Sequence, residues 1–281
     1  MELEFIKMQG LGNDFILLDN RNGDIKYPYP DLSKKLCSRQ FGIGADGIIL
    51  ILESMDHDIK FRIYNSDGSQ AQMCGNGMRC FAKILYENKI LSQKKIRVDT
   101  KAGTVIPEVI TDETGQVRSV RVDMGEPVLF CREIPFESST ESAMEECLIV
   151  GDKEYRITPV SMGNPHAVMF VDDVEKVDIK SIGRSIETHE RFPEKTNVEF
   201  VEVVSDKELK MKVWERGAGM TLACGTGACA ALVAASLTGR TSKSAIVHLD
   251  GGDLDIQWDK ETNHVFKTGP ATTVFEGRIR I

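Results

Sequence analysis

Apolar and polar residues alternate along Phe61-Arg62-Ile63-Tyr64-Asn65 and again along Met211-Lys212-Val213-Trp214-Glu215. This is the period-two pattern of a strand with one covered face. Alternation and short apolar runs predict strands at 3–8, 15–19, 47–53, 59–64, 95–99, 104–110, 117–123, 166–171, 198–204, 209–214, 245–249, 254–257 and 273–280. Helices are predicted at 31–39, 75–90, 178–187 and 225–238, and the Glu/Ser-rich stretch 137–146 reads as an exposed loop. Strands dominate, with one long helix in each half. The expected class is α+β: two pseudo-symmetric domains, each a curved, mostly antiparallel sheet wrapped around a central helix. The natural place for an active site is the interdomain cleft.

The two halves repeat each other. Met73-Cys74-Gly75-Asn76-Gly77-Met78-Arg79-Cys80 returns as Ala223-Cys224-Gly225-Thr226-Gly227-Ala228-Cys229, and each copy runs into an apolar, helix-like stretch. The alternating segments above each precede the cysteine of their own half. Gly12-Asn13-Asp14-Phe15 is matched by Gly163-Asn164-Pro165-His166, and Val98-Asp99-Thr100 by His248-Leu249-Asp250. Landmarks in one order at nearly the same offset indicate a duplicated unit. The lead-in Val120–Pro127 has no counterpart before Gly12, but Val265–Pro270 supplies one. The tail, through Ile281, is therefore expected to return and add a strand to the first domain. That gives an N-terminal domain of 1–118 plus 270–281 and a C-terminal domain of 119–269.

Composition narrows the partners. A net charge of −8 argues against nucleic acid and against an anionic membrane surface. The opening Met1-Glu2-Leu3-Glu4 lacks the basic start of a signal peptide, and no apolar run is long enough to span a bilayer. Seven cysteines, an odd number, fit a reducing cytoplasm better than a disulfide framework.

A thiol at the start of a helix faces unpaired N–H groups and the positive end of the dipole, which favour thiolate. Glycines at 75, 77, 225 and 227 let bare N–H groups approach an anion such as a carboxylate. Two such thiols flanking one α-carbon would let one take a proton while the other returns one to the opposite face. The remaining cysteines, Cys37, Cys80, Cys131, Cys147 and Cys229, read as small hydrophobes. Cys-x5-Cys and Cys-x4-Cys are poor zinc spacings, so no metal is expected. The glycine-rich 41–47 segment lacks a phosphate-loop ending and feeds a strand; Arg39 and Asp46 in or beside it could support a site. Asn13, Asn65, Asn164, Asn197, Glu215 and Arg216 form a polar set suited to an amino acid: the guanidinium can fork onto a carboxylate, and amide oxygens can take ammonium hydrogens. His166 would tune a thiol if it lies near one.

Taken together, these motifs resemble the diaminopimelate epimerase family. The likeness runs through Gly12-Asn13-Asp14-Phe15, Asn65-x-Asp67-Gly68-Ser69 to Cys74-Gly75-Asn76-Gly77-x-Arg79, Gly163-Asn164-Pro165-His166, and Trp214-Glu215-Arg216-Gly217 to Cys224-Gly225-Thr226-Gly227. The resemblance implies an isomerase that converts L,L-2,6-diaminopimelate to the meso form for lysine and peptidoglycan synthesis, without a cofactor and usually as a homodimer. It implies Cys74 and Cys224 as the acid/base pair. Gly75, Asn76, Gly225 and Thr226 would bind the reacting carboxylate, and Asn13, Asn65, Asn164, Asn197 and Arg216 the distal centre. Glu215 and His166 would adjust the thiols. Some members carry Gln where this chain has Gly47.

Rival readings are a proline or hydroxyproline racemase, whose ring substrate gives the distal polar set no partner, and a phenazine-type isomerase, which has no need of both thiols. A thiol-redox protein would normally carry Cys-x-x-Cys, absent here. A non-catalytic amino-acid-binding protein has no use for two bases. Across the repeat Asn65 faces Glu215, Asn76 faces Thr226 and Ser66 faces Arg216, so the scaffold is duplicated while the residues expected around the substrate are not.

Overall fold

The computed structural model describes residues 2–281, which divide into two compact units: residues 2–123 with 268–281, and residues 124–267. The first unit contains β1 (Glu2–Gly10), β2 (Asn13–Asp19), α1 (Tyr29–Cys37), β3 (Gly47–Leu52), β4 (Ile59–Asn65), β5 (Gln70–Ala71), α2 (Gly75–Glu87), β6 (Val98–Thr100), β7 (Gly103–Val105), β8 (Glu108–Thr111) and β9 (Val117–Asp123). The second contains β10 (Glu146–Val150), β11 (Lys153–Ser161), β12 (Pro165–Phe170), α3 (Ile179–Glu187), β13 (Asn197–Ser205), β14 (Glu208–Glu215), β15 (Gly219–Thr221), α4 (Gly225–Leu237), β16 (Ser244–Leu249) and β17 (Gly252–Trp258). Along β18 (Val265–Gly269) the chain passes back to the first unit, which β19 (Thr272–Arg280) completes.

The strand pairings repeat as the sequence does. In the first unit β2 runs parallel to β3, β3 antiparallel to β4, and β4 parallel to β6, with β5 folded back on β4. In the second, β12, β13, β14, β15 and β16 make the same pairings in the same order. The remaining pairings in each unit are mostly antiparallel. As expected for the tail, β19 pairs antiparallel with β1, from Glu2↔Arg280 to Gln9↔Thr272.

Strands pack around each long helix. Helix α2 packs against β1, β2, β3, β8 and β9, and α4 against β11 to β14, β16 and β17. Helix α4 carries an unbroken small apolar run, Ala228-Cys229-Ala230-Ala231-Leu232-Val233-Ala234-Ala235, every residue of it excluded from solvent. A helix apolar on all sides must be buried all round, and this one is. Helix α2 shows Lys83 and Glu87 on its outer face in an i,i+4 pair at 2.7 Å. Beneath it Phe81 meets Phe61 edge-on, with ring centroids 5.1 Å apart.

Several elements differ from expectation, each for a local reason. The hairpin β10–β11 is not predicted because Pro159 demotes its run as a strand. Strand β10 begins at Glu146, opposite Ile157, so no β10 partner needs the N–H that Pro159 lacks. The predicted strand 104–110 is split by Ile106-Pro107 into β7 and β8. Helix α2 stops at Glu87, not at 90: Asn88 caps it and Lys89 turns left-handed at φ 55°. Within 137–146, Ala143 is buried although most neighbours are exposed. Among the described residues, no helix is long and apolar enough to cross a membrane.

Candidate active site

Both motif cysteines occupy helix N-caps. Cys74 has extended backbone (φ −142°, ψ 116°) and its Sγ accepts the Gly77 N–H at 3.5 Å. Cys224 does the same for α4 (φ −118°, ψ 111°), accepting the Gly227 N–H at 3.3 Å. Ser, Thr, Asp or Asn usually fills this place. Neither helix has an acidic residue in its first turn, so a thiol is what stands at each positive end.

Around Cys74 the neighbours are amides. Its Sγ lies 3.8 Å from Asn13 Oδ1, which also accepts from Asn76 Nδ2 at 3.4 Å. Asn13 Nδ2 donates to Asp46 Oδ2 at 2.7 Å, and a carboxylate can only accept, so the amide oxygen must face the thiol. Arg39 in turn bridges Asp46 (2.9 Å) and Asp14 (3.0 Å). The support suggested for Arg39 and Asp46 thus has a definite form: it orients Asn13. Asn76 is held from behind by Arg79, a wholly buried guanidinium that donates to Asn76 Oδ1 and to Pro270 O, both at 3.0 Å. Sequence reading quoted Arg79 in the motif without a role; the matching position holds Cys229. Asn65 ends β4, is exposed, and donates to Ser69 Oγ at 2.9 Å.

Cys224 has charged neighbours instead. The Nδ1 of His166 and Oε1 of Glu199 are 2.6 Å apart, both side chains fully excluded from solvent. The Nε2 of His166 lies 3.0 Å from Asn164 Oδ1. Glu199 Oε1 comes close enough that a Cβ on Gly227 would stand 2.7 Å from it and 3.2 Å from Cys224 Sγ. Thr226 Oγ1 is 3.5 Å from the same sulfur. Glu215, at the end of β14, accepts from Thr221 Oγ1. The helix end alone would favour a thiolate at Cys224. Burial, followed by the charges of Glu215 and Glu199, outweighs it and pushes this thiol well above its ordinary range. Cys80, buried behind the first motif, is pushed up to about 12 by burial, in keeping with a structural role.

Asn197 and Arg216 work as a pair. Asn197 donates to Pro165 O at 2.8 Å and accepts the Arg216 N–H at 2.9 Å, so much of its amide is spent on backbone. The Arg216 guanidinium is exposed, held by one bond to Glu194 O at 3.0 Å, and free to fork onto an anion with its other N–H groups. Gly47 sits against the Tyr64 carbonyl, where a Cβ would come within 2.6 Å. The residue missed from sequence is Glu199. A carboxylate inside a predicted strand reads as solvent-facing, although Val198, Phe200 and Val201 around it left no polar face.

The ligand-type atoms of His166, Glu199 and Cys224 lie within 4.8 Å of one another. Two ligands of a tetrahedral zinc ion stand about 3.3 Å apart, given bonds of about 2.0–2.1 Å. The imidazole and carboxylate are closer than that because they bond each other, so the set as built does not suit a metal.

Gly227→Ala separates helix stability from chemistry. Alanine is the better helix residue by about 1 kcal/mol, yet its methyl would push apart Glu199 and Cys224. The expected result is a kcat lowered about ten- to a hundredfold, on the scale of a small misplacement at a reacting centre, with a melting temperature close to wild type. Parallel kinetics and thermal unfolding check it, and full activity would mean the contact is not tight.

The sequence model of the family described as diaminopimelate epimerase matches residues 5–130 and 158–274. Curated relatives named diaminopimelate epimerase are 60% identical in Desulforapulum autotrophicum, over 100% of both chains, and 50% identical in Methanococcus maripaludis, over 99% of this chain and 100% of the relative. The fold is shared with a Bacillus anthracis phenazine biosynthesis protein of the PhzF family (TM-score 0.73, 17% identity, 100% of both chains). A hydroxyproline epimerase from Agrobacterium vitis also shares it (TM-score 0.67, 16% identity, 99% of this chain and 91% of that one). By full-length identity and by its motifs, the chain belongs to the diaminopimelate epimerase family.

Proposed function

We propose that this enzyme converts L,L-2,6-diaminopimelate to the meso isomer in lysine and peptidoglycan precursor synthesis, using Cys74 and Cys224 as its two bases and no cofactor. The observation that carries the reading is the matched pair of thiols, each capping the N-terminus of its unit's long helix beside a side-chain-free N–H at Gly77 or Gly227. Family membership names the substrate.

In this scheme Gly75, Asn76, Gly225 and Thr226 receive the carboxylate of the reacting centre. Their helix ends stabilise the negative charge that builds up on it as the α-proton leaves. Cys74 takes that proton from the L,L isomer, and Cys224 delivers one to the opposite face. The assignment fits the surroundings of Cys224, which favour a protonated, donating thiol. Asn13, Asn65, Asn164, Asn197, Glu215 and Arg216 hold the polar groups of the rest of the substrate, Asn197 largely by fixing the Arg216 backbone. His166 and Glu215 adjust the proton affinity of the thiols.

We place the enzyme in the cytoplasm, as its odd cysteine count favours. We further propose a homodimer. In support, β19 is an edge strand with Val274 and Phe275 about half exposed, a surface that soluble proteins ordinarily cover or charge.

Incubating the reduced protein with L,L-diaminopimelate in deuterated water tests the reading. The expected product is meso-diaminopimelate carrying solvent deuterium at the inverted α-carbon. Absence of both inversion and exchange would reject it.

A further inference from the structure

The duplicated architecture provides an internal control for the buried pair behind Cys224. His166 opens the β12–β13 ladder opposite Asn197, as Phe15 opens the β2–β3 ladder opposite Gly47. Two residues further on, Glu199 corresponds to Ile49. In the first unit, the space below Gly77 is filled by Ile49, whose Cδ1 lies 2.9 Å from where a Cβ would stand. In the second unit, the same space below Gly227 holds a carboxylate oxygen. One scaffold therefore builds this layer with Phe15 and Ile49 in one half and with His166 and Glu199 in the other. The fold does not require an ion pair here.

The pair is also incompletely satisfied. Glu199 Oε1 bonds His166, but its Oε2 is buried without a hydrogen-bond partner among the described residues. A buried carboxyl with a free oxygen is ordinarily stabilised by more bonds or removed. Burial holds its pKa above the usual carboxylate range despite the imidazole beside it, so it keeps a proton readily.

The two thiols also differ in their access to solvent. Cys74 is partly exposed, whereas Cys224 is buried at 4% exposure. Each L,L-to-meso turnover by the proposed two-base reaction leaves Cys74 protonated and Cys224 as thiolate. Before the next turnover, Cys74 must lose its proton and Cys224 must gain one. Cys74 can exchange with water directly. Cys224 has little water but has Glu199 and His166 within 4.8 Å, with Glu215 as its other charged neighbour. Beyond His166 Nε2 stands Asn164, only half buried, which leads outward.

We propose that Glu199, with His166, holds the proton that restores the Cys224 thiol between turnovers. This inference rests on the two-base epimerase reading. In the restoring step the S–H bond of Cys224 forms as the O–H or N–H bond of the pair breaks, and the negative charge passes from sulfur to the carboxylate. The pair then regains a proton from water by way of His166. Glu199 touches no substrate atom; it is a positioning residue, and what it positions is a proton.

The experiment compares wild type with Glu199→Gln, which keeps the shape and a hydrogen bond but has no proton of this kind to give. A second variant, His166→Phe with Glu199→Ile, installs the apolar pair of the other half and guards against a folding failure. Single-turnover inversion of L,L-diaminopimelate, with enzyme in excess, is expected to stay within about threefold of wild type in Glu199→Gln. Steady-state turnover should fall about tenfold or more, because restoring the donor becomes limiting.

Isotopically labelled substrate at equilibrium, challenged with excess unlabelled L,L isomer, should be driven transiently off equilibrium by the variants and far less by wild type. That perturbation reports slow interconversion of free enzyme forms, which a purely structural defect does not produce. Equal loss of single-turnover and steady-state rates, or unchanged steady-state rates with label at equilibrium, overturns the proton-supply role while leaving the epimerase reading intact. A wild-type protein that inverts nothing overturns both.

Discussion

Cys74→Ala and Cys224→Ala are each expected to lower inversion by about 10²–10⁴-fold in both directions, the usual contribution of a positioned acid or base. The loss should be similar for the two although their surroundings differ, because one thiol must remove the proton and the other supply it whichever isomer is bound. Neither substitution should unfold the protein. The cap bond from Gly77 or Gly227 to sulfur is long, at 3.5 and 3.3 Å, and losing even a good cap costs only about 1 kcal/mol. The informative contrast lies in exchange. With Cys224 gone, Cys74 can still remove and return a proton on its own face, so deuterium can enter the L,L isomer without inversion. Chiral separation of the isomers with mass spectrometry distinguishes the two events. A single variant keeping about a tenth or more of wild-type inversion would exclude the two-base scheme.

The second large effect is on stability. His166→Ala removes the imidazole that bonds Glu199 in a space closed to solvent. Breaking a buried pair from one side is destabilising by about 3–5 kcal/mol, because the remaining group has no water to turn to. Replacing both members by well-packed apolar residues is often neutral or better. The double variant His166→Phe/Glu199→Ile should therefore recover most of the stability lost in His166→Ala, since the first unit already accommodates that pair. Its steady-state activity should not recover. Denaturant unfolding of the variants, read together with turnover, tests both statements. If the double variant is as unstable as His166→Ala, the layer in the second unit cannot accept apolar residues and the comparison between halves fails.

Much of this site is legible in the chain because it is written twice. The Cys-Gly-polar-Gly turns announce the two helix starts, and the alternation at 61–65 and 211–215 places a strand before each. Less legible is what lies underneath the turns. Glu199 sits in a strand whose neighbours are buried on both faces, where alternation no longer tells inside from outside. Asn197 has the right residue type for binding, but its amide serves the backbone of Pro165 and Arg216, which depends on tertiary contacts that no local pattern encodes. The β10–β11 hairpin was hidden by Pro159, acceptable only because the pairing with β10 ends two residues earlier. The helix-end argument for thiolates was sound locally and was overturned at Cys224 by burial and by carboxylates from distant parts of the sequence.

The pairing of β1 with β19 has a consequence for how the protein is made. Residues 124–267 form a unit continuous in sequence. The other unit begins earlier but waits: β1 pairs with β2 at once but cannot gain its outer partner until Thr272–Arg280 has been translated, after the whole of the intervening unit. At about 5–20 residues per second, that leaves the outer edge of β1 uncovered for several seconds or more. The unit begun first is thus the one finished last. A released chain that stops before residue 272 should hold one folded unit and one with an open edge on β1, a hazard absent from the finished molecule.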